Sequence, residues 1–291
     1  MQIIGRSQDR TGRDHVIGFQ RKSKKTQAKI DGEFVSKLTS LVKRLPIHLI
    51  HPETHYLLEQ GPRFRRQFLD WGVFHVEHSY LEIWQSYHRT LRQRNALLRR
   101  RASHQQIRAW NKPLSDHALA LHELRTRYVD LMCPHIKFLS NQLLDDEPHF
   151  SYEAGWPKDT ALLQLLEVSI PADLERGYTQ YGAHRADLVI TAQQIPAQLH
   201  YSRGQQKLLI STLRLAHLLV LRDLGQDAGI LLVDDLPAEL DRERRGKLLQ
   251  MLAKLGVQTL ITATERDLLD TALWTESKTF HVEHGTITEV I

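Results

Sequence analysis

Two adjacent carboxylates, Asp234 and Asp235, close the apolar run Ile230-Leu231-Leu232-Val233. A continuous apolar run of this length is typical of a strand buried on both faces. The pair is therefore delivered to the carboxyl edge of a sheet. At such an edge, Asp234 can hold Mg²⁺ through water and Asp235 can orient or activate an attacking water, the division of labour used in nucleotide hydrolysis. The same acids could also simply face solvent or cap the next helix. About thirty residues upstream lies Ser202-Arg203-Gly204-Gln205-Gln206-Lys207, immediately before a long apolar-faced segment. A Ser and a Gly at a helix start present a hydroxyl and backbone N–H groups to an anion, aided by the helix dipole. Taken alone, that pattern is an N-cap.

The elements that must position these residues follow from periodicity. Leu208, Leu209, Thr212, Leu215, Ala216 and Leu219 share one face of a helix over about 205–222. A second helix over about 241–255 leads to another buried strand, Gln258-Thr259-Leu260-Ile261. This helix–strand–helix–strand order is the signature of an α/β unit with a parallel sheet. Upstream, a strand around Asp187-Leu188-Val189-Ile190 passes through Gln193-Gln194-Ile195-Pro196 to a second short segment.

From about Pro62 to Leu144 the period is helical. Leu81, Trp84, His88, Leu91, Asn95 and Leu98 form one heptad-like seam, and Leu114, Leu121, Leu124, Tyr128 and Leu131 a second. Asn111-Lys112-Pro113 offers a break between them, which predicts an antiparallel helical pair, and Asp145-Asp146-Glu147-Pro148 ends the region. The first fifty residues read as short strands. Val16, Gly18 and Gln20 alternate with Ile17, Phe19 and Arg21, and Asp31-Gly32 joins Ala28-Lys29-Ile30 to Glu33-Phe34-Val35 as a tight hairpin. Arg21 to Lys25 reads as an exposed loop. These strands close no domain on their own and read as the edge of something larger.

Taken in order, the motifs resemble those of ABC-type ATPases. Ser202, Gly204 and Gln205 resemble the signature motif, Asp234 and Asp235 the acidic strand end, and Glu239-Leu240-Asp241 the D-loop. Thr262-Ala263-Thr264 follows the next strand, with Thr264 at the position of the switch residue. Three further segments resemble the RecF family of recombination-mediator and gap-repair ATPases. They are Pro52-Glu53 with Gly61-Pro62-Arg63-Phe64-Arg65-Arg66-Gln67-Phe68-Leu69-Asp70-Trp71, then Glu175-Arg176-Gly177-Tyr178-Thr179 with Gly182 to Leu188, and Arg242-Glu243-Arg244-Arg245. The resemblance runs from about Leu45 to the C-terminus. It implies an α/β fold: an ABC-ATPase-like P-loop NTPase head, its N-terminal part incomplete, interrupted by an antiparallel α-helical lobe. The implied division is 1–50 for the N-terminal part of the head, 51–149 for the lobe and 150–291 for the C-terminal part.

Two features depart from the family pattern. Gly182-Ala183-His184-Arg185 stands where Gly-Pro-His-Arg is usual. No G-x-x-x-x-G-K-[ST] loop occurs in the 291 residues, and the one Gly-Lys pair, Gly246-Lys247, precedes Leu248 inside a helix. The sequence reads as starting after that loop. The family sandwiches ATP between this loop of one subunit and the signature Ser of another, which drives dimerisation. This chain keeps Ser202, Gly204 and Asp241 but not the backbone nest and Lys that grip the β- and γ-phosphates. Weak or absent ATP binding and no independent hydrolysis are expected of it alone.

Composition agrees with a polyanionic partner. Lys plus Arg is 39 against 34 for Asp plus Glu, a net charge of +5. Arg89, Arg92, Arg94, Arg99, Arg100 and Arg101 crowd one helix, with Arg63, Arg65 and Arg66 upstream. On charge alone these are either a phosphate-binding cluster or a solvated helix face. The family resemblance selects DNA, and Arg63, Arg65, Arg66, Arg99, Arg100 and Arg101 are the candidate contacts. It further implies single-stranded or gapped DNA and single-strand/double-strand junctions as ligand, ATP and Mg²⁺ as cofactors, an ATP-dependent homodimer, RecR and RecO as partners, a cytoplasmic location, and roles in gap repair and the SOS response. A weak DNA-dependent ATPase is the family activity. Two other readings stand beside this: a DNA-binding scaffold without an ATPase cycle, and an unrelated soluble α/β binding protein. Phe-His-Val-Glu-His occurs at 74–78 and 280–284, but neither copy has the spacing that puts two imidazoles on one helical face. A single Cys133 excludes an internal disulfide framework. No apolar run is long enough to span a membrane.

Overall fold

The structure, a computed structural model, describes residues 2–8, 12–22, 25–35, 38–51, 56–235 and 240–290. The chain begins with β1 (Gln2–Gln8), β2 (Asp14–Lys22), β3 (Lys25–Ile30) and β4 (Glu33–Phe34), an antiparallel sheet in that order. Asp31 and Gly32, at φ 52° and 87°, form the hairpin turn between β3 and β4, pairing Ile30 with Glu33. Both positive φ angles match what a two-residue hairpin needs. The expected loop at 21–25 is shorter than its charge suggests. Arg21 pairs with Thr26 inside the ladder, so only 23–24 remain between strands, and these lie outside the described residues.

A short helix α1 (Leu38–Arg44) leads to β5 (Ile47–Ile50), and α2 (Tyr56–Glu59) follows. Pro52 and Glu53 lie outside the described residues. The helical region comprises α3 (Pro62–Val76), α4 (Tyr80–Arg99), α5 (His104–Arg108) and the 33-residue α6 (Asn111–Leu143). Pro113 does not break the helix. It sits in the first turn of α6, where its missing N–H would have had no helical acceptor. The chain reverses earlier, at Arg100–Ser103, with Arg101 in the left-handed region at φ 51°. The α4 seam is also rotated from the expected one. Tyr80, Tyr87, Leu91, Arg94 and Leu98 are buried, whereas Trp84, His88 and Asn95 are only partly covered. On α6, Leu114, Leu121, Leu124 and Tyr128 are buried as expected, but Met132 replaces Leu131, which is 40% exposed. The first Phe-His-Val-Glu-His copy forms the last turn of α3 and its cap, rather than following that helix.

The C-terminal part comprises β6 (His149–Glu153), α7 (Leu162–Val168), α8 (Ile170–Arg176), β7 (Asp187–Ala192), β8 (Ile195–Pro196), α9 (Ala197–His200), α10 (Arg203–Asp223), β9 (Ile230–Val233), α11 (Arg242–Lys254), β10 (Thr259–Ile261) and a terminal hairpin, β11 (Thr279–Glu283) with β12 (Thr286–Val290). The antiparallel order β6-β7-β8 gives one sheet, and the parallel order β10-β9-β5 gives another. The helix–strand–helix–strand order holds, with β5 as the third strand, but β9 is fully buried on one face only and β10 is not buried, against the expected burial of both strands. On one face of the parallel sheet His48, Ile50, Leu231 and Val233 are buried against α10 and its neighbours. The other face carries Leu49, Leu232 and Leu260 in register, with Leu49 40% and Leu260 52% exposed.

Helix α10 is the axis of the core. Leu208, Leu209, Ile210, Leu213, Leu215, Ala216 and Leu218 are all fully buried, so the helix is covered nearly all round rather than on one face. It packs chiefly on α6. Helix α3 crosses close by because residue 72 is Gly. A methyl group there would collide with the Tyr128 ring and the His217 imidazole.

Candidate functional site

The acidic pair sits where the strand reading places it. β9 ends at Val233, and Asp234 and Asp235 follow at the carboxyl edge of the parallel sheet. Asp234 is exposed. Asp235 turns into the left-handed region at φ 48°, and its Oδ1 is buried without a hydrogen-bond partner among the described residues. A threonine from the next strand ties the two together. Thr262 Oγ1 donates to Asp234 Oδ1 at 2.7 Å and accepts the Asp235 N–H at 2.9 Å. Its own N–H donates to Val233 O at 2.9 Å, which fixes it in line with β9. Thr264, the residue matched to the switch position, is exposed, and no side-chain hydrogen bond is formed by it among the described residues. Thr262 was signalled by its place one residue past the apolar strand β10, where a side chain reaches the same edge as the acids.

Ser202 caps α10 through a reciprocal capping box. The Gln205 N–H donates to Ser202 Oγ at 3.4 Å, and the Ser202 N–H donates to Gln205 Oε1 at 3.0 Å. Two amides of the first turn, those of Arg203 and Gly204, have no helical acceptor and point along the positive end of the dipole. Arg203 is paired with Glu59 of α2. Asp241 caps α11 in turn, accepting the Arg244 N–H at 2.9 Å and its Nη1 at 2.6 Å. The Arg244 amide and guanidinium together hold the Asp241 carboxyl below the usual range. Glu239 lies outside the described residues.

The two capped helix starts are connected. Asp145 Oδ2 accepts Gln205 Nε2 at 3.0 Å and lies 3.8 Å from Arg244 Nη2. Asp145 thus bridges the start of α10 to the start of α11. From sequence, Asp145 reads only as part of a polar helix breaker and Arg244 only as part of a family segment. Opposite-charge residues flanking two cap motifs were the available signal.

The arginines divide into two groups. Arg65 forms a bidentate pair with Asp187, Nε to Oδ1 and Nη2 to Oδ2 both at 2.7 Å. Arg66 Nη1 donates to Ala186 O at 2.7 Å, and burial pulls its pKa down. Arg94 is wholly buried, against its place in the expected surface cluster: Asp173, Thr179 and Asn111 all bind it, the first at 2.7 Å. Arg125 joins Asp70 to Ala183 O, each at 2.8 Å. The Arg65, Arg66 and Arg125 bonds stitch the Gly61–Trp71 segment to the Gly182–Leu188 segment. Arg63, Arg99, Arg100 and Arg101 are exposed.

The donors at the acidic edge fit Mg²⁺. They are hard oxygens, and an exposed Asp234 leaves room for the several waters this ion retains. The unpartnered Asp235 oxygen is free to accept from one of them. Among the described residues no group of three His, Cys, Asp or Glu side chains is placed to hold a metal.

Over 281 residues the sequence is 42% identical to the DNA replication and repair protein RecF of Shewanella sediminis (strain HAW-EB3), covering 96% of this chain and 78% of that protein. The chain belongs to the RecF family. The RecF protein of Hydrogenovibrio crunogenus (strain DSM 25203 / XCL-2) is 38% identical over 281 residues, again with 78% of its length matched. No family model matches the chain. Among solved structures, the recombination mediator protein RecF–ATP of the RecFOR pathway superposes with a TM-score of 0.83 at 20% identity, covering 100% of this chain and 80% of that one. The Pyrococcus furiosus Smc head domain with an extended coiled coil gives 0.52 at 12% identity, over 95% of this chain and 71% of that one. The fold is therefore that of a RecF and Smc-type ABC-ATPase head with its helical lobe. RecF membership sets aside the reading of an unrelated α/β binding protein. No helix among the described residues is long and apolar enough to cross a membrane.

Proposed function

We propose that this RecF-family chain acts in recombinational gap repair as an ATP-linked binder of single-stranded and gapped DNA. Residues 1–50 and 150–291 form the two parts of the head and 51–149 the inserted lobe. The observation that carries the nucleotide reading is the Thr262 bridge, which holds Asp234 and Asp235 together at the carboxyl edge of a parallel sheet, where nucleotide sites of such sheets lie. Asp234 would hold Mg²⁺ through water, and Asp235 would orient the attacking water. The ion would neutralise charge developing on the phosphates. Ser202, the Gly204 amide and Gln205 would meet the phosphates of an ATP held by a second copy, with Asp241 and Thr264 flanking them.

Within these 291 residues no Gly-rich loop grips the β- and γ-phosphates, so this chain alone binds ATP weakly and does not turn it over. DNA contacts fall to the exposed Arg63, Arg99, Arg100 and Arg101, since Arg65 and Arg66 are engaged internally. RecR and RecO are the expected mediators, the SOS response the wider setting and the cytoplasm the location. The test is a gapped-duplex binding assay over a salt series, with parallel measurement of Mg²⁺-dependent ATP hydrolysis. Expected are salt-sensitive DNA binding, a lower salt slope for Arg99→Glu/Arg100→Glu/Arg101→Glu, and hydrolysis at background. Turnover that Asp235→Asn abolishes would overturn the prediction of an inactive chain. Unchanged DNA binding in the triple variant would exclude that patch.

A further inference from the structure

Helix α4 carries a cleft of about 240 Å³ lined by Trp84, Gln85, His88, Arg89 and Arg92. These residues recur at helical spacing, so they form one stripe on one face. From Trp84 to Arg92 the stripe runs about 12 Å, roughly the rise of three to four stacked nucleotides. The Trp84 indole is pinned by its edge: Nε1 donates to Asp70 Oδ2 at 3.3 Å, and Asp70 is itself neutralised by Arg125 at 2.8 Å. Its ring lies beside the His88 imidazole, centroids 4.1 Å apart. Burial depresses the His88 pKa, so this ring is neutral at physiological pH. Arg89 and Arg92 are exposed, and neither forms an ion pair with a carboxylate among the described residues. On the 173–187 segment the Arg185 guanidinium lies 5.4 Å from the Tyr178 ring.

The combination is specific in its chemistry. Trp84 packs against the main core yet stays partly exposed, with the exposed Arg89 and Arg92 on the same helix face. An aromatic platform flanked by free guanidinium groups matches a base face with its adjoining phosphates. In duplex DNA the base faces are covered by stacking, so only unpaired nucleotides can use the ring.

We infer that the Trp84–Arg92 stripe is a binding site for single-stranded DNA, with an unpaired base against Trp84 and His88 and its phosphates on Arg89 and Arg92. The inference rests on the DNA-binding reading above and names where an unpaired strand is held. It is separate from the Arg99–Arg101 patch, which lies beyond the C-terminal end of the stripe on the same helix and its end.

The test uses the full 291-residue chain with fluorescein-labelled (dT)₂₀ and a 20-base-pair duplex as probes, read by anisotropy. Trp84→Leu is expected to weaken (dT)₂₀ binding about tenfold, from the loss of one stacked base, while duplex affinity changes less than twofold. Trp84→Phe, which keeps a ring, is expected to retain most of the affinity and controls for lost packing. Arg89→Glu/Arg92→Glu is expected to lower the (dT)₂₀ salt slope by about 1.4. If wild type binds DNA but Trp84→Leu binds both probes unchanged, or Trp84→Phe is as weak as Trp84→Leu, this site is overturned and the DNA-binding reading stands. If wild type binds neither probe, both fall.

Discussion

The Thr262 hydroxyl donates to Asp234 at 2.7 Å, and this one bond decides the geometry of the acidic edge. The same oxygen accepts the Asp235 N–H, so a single atom holds both acids in register with β10. Removing it leaves a carboxylate oxygen and an amide to find water instead.

Thr262→Val is therefore expected to cost about 1 kcal/mol of stability, the worth of an exposed hydrogen-bonded group. Thr262→Ser, which keeps the hydroxyl, should restore most of it. Urea denaturation of the two variants checks this, and a Thr262→Val variant as stable as wild type would show that the hydroxyl contributes nothing.

The buried arginine is a larger risk. Arg94 and Asp173 are both fully inaccessible, and Thr179, Asn111 and Leu166 O complete the arginine's shell. Arg94→Ala strands an uncompensated carboxylate in the core, and about 3–5 kcal/mol of destabilisation is expected. Arg99→Ala, one helical turn further on and exposed, should stay within about 0.5 kcal/mol of wild type. A comparison of their denaturation midpoints separates the structural arginine from the surface one.

Acid sensitivity follows from the buried imidazoles. Burial depresses His48, His75 and His184 from the ordinary 6.5 to about 4, and pulls His217 well below its ordinary value. In the unfolded chain these groups titrate normally, so between pH 6.5 and 4 the unfolded state binds more protons. Their contribution to stability is complete above pH 6.5 and is lost as pH falls toward 4. Thermal midpoints measured from pH 7.5 down to 4.5 should decline, and His48→Gln should flatten the decline. A midpoint independent of pH across this window would show that these rings are already protonated or accessible.

Much of the site was legible because its signals are local. A four-residue apolar run ending in two acids, and a Ser three residues before a Gln at a helix start, carry their geometry in adjacent positions. The α10 boundaries and the Asp31-Gly32 hairpin were readable for the same reason. What was not legible depends on distant partners. Nothing near Arg65 or Arg94 announces Asp187 or Asp173, so charged residues fixed in the interior read as a basic surface. The α4 seam was misplaced because a paired arginine is as buriable as leucine, which rotates the helix away from its apolar stripe. Pro113 misled because a proline in the first turn of a helix removes no helical hydrogen bond.

The Leu49–Leu232–Leu260 row on the uncovered side of the parallel sheet bears on how the chain behaves in solution. A net charge of +5 keeps copies apart at low ionic strength, whereas this greasy strip draws them together. Salt weakens the repulsion and leaves the adhesion intact. Self-association is thus expected to rise with ionic strength, which light scattering over a salt series checks.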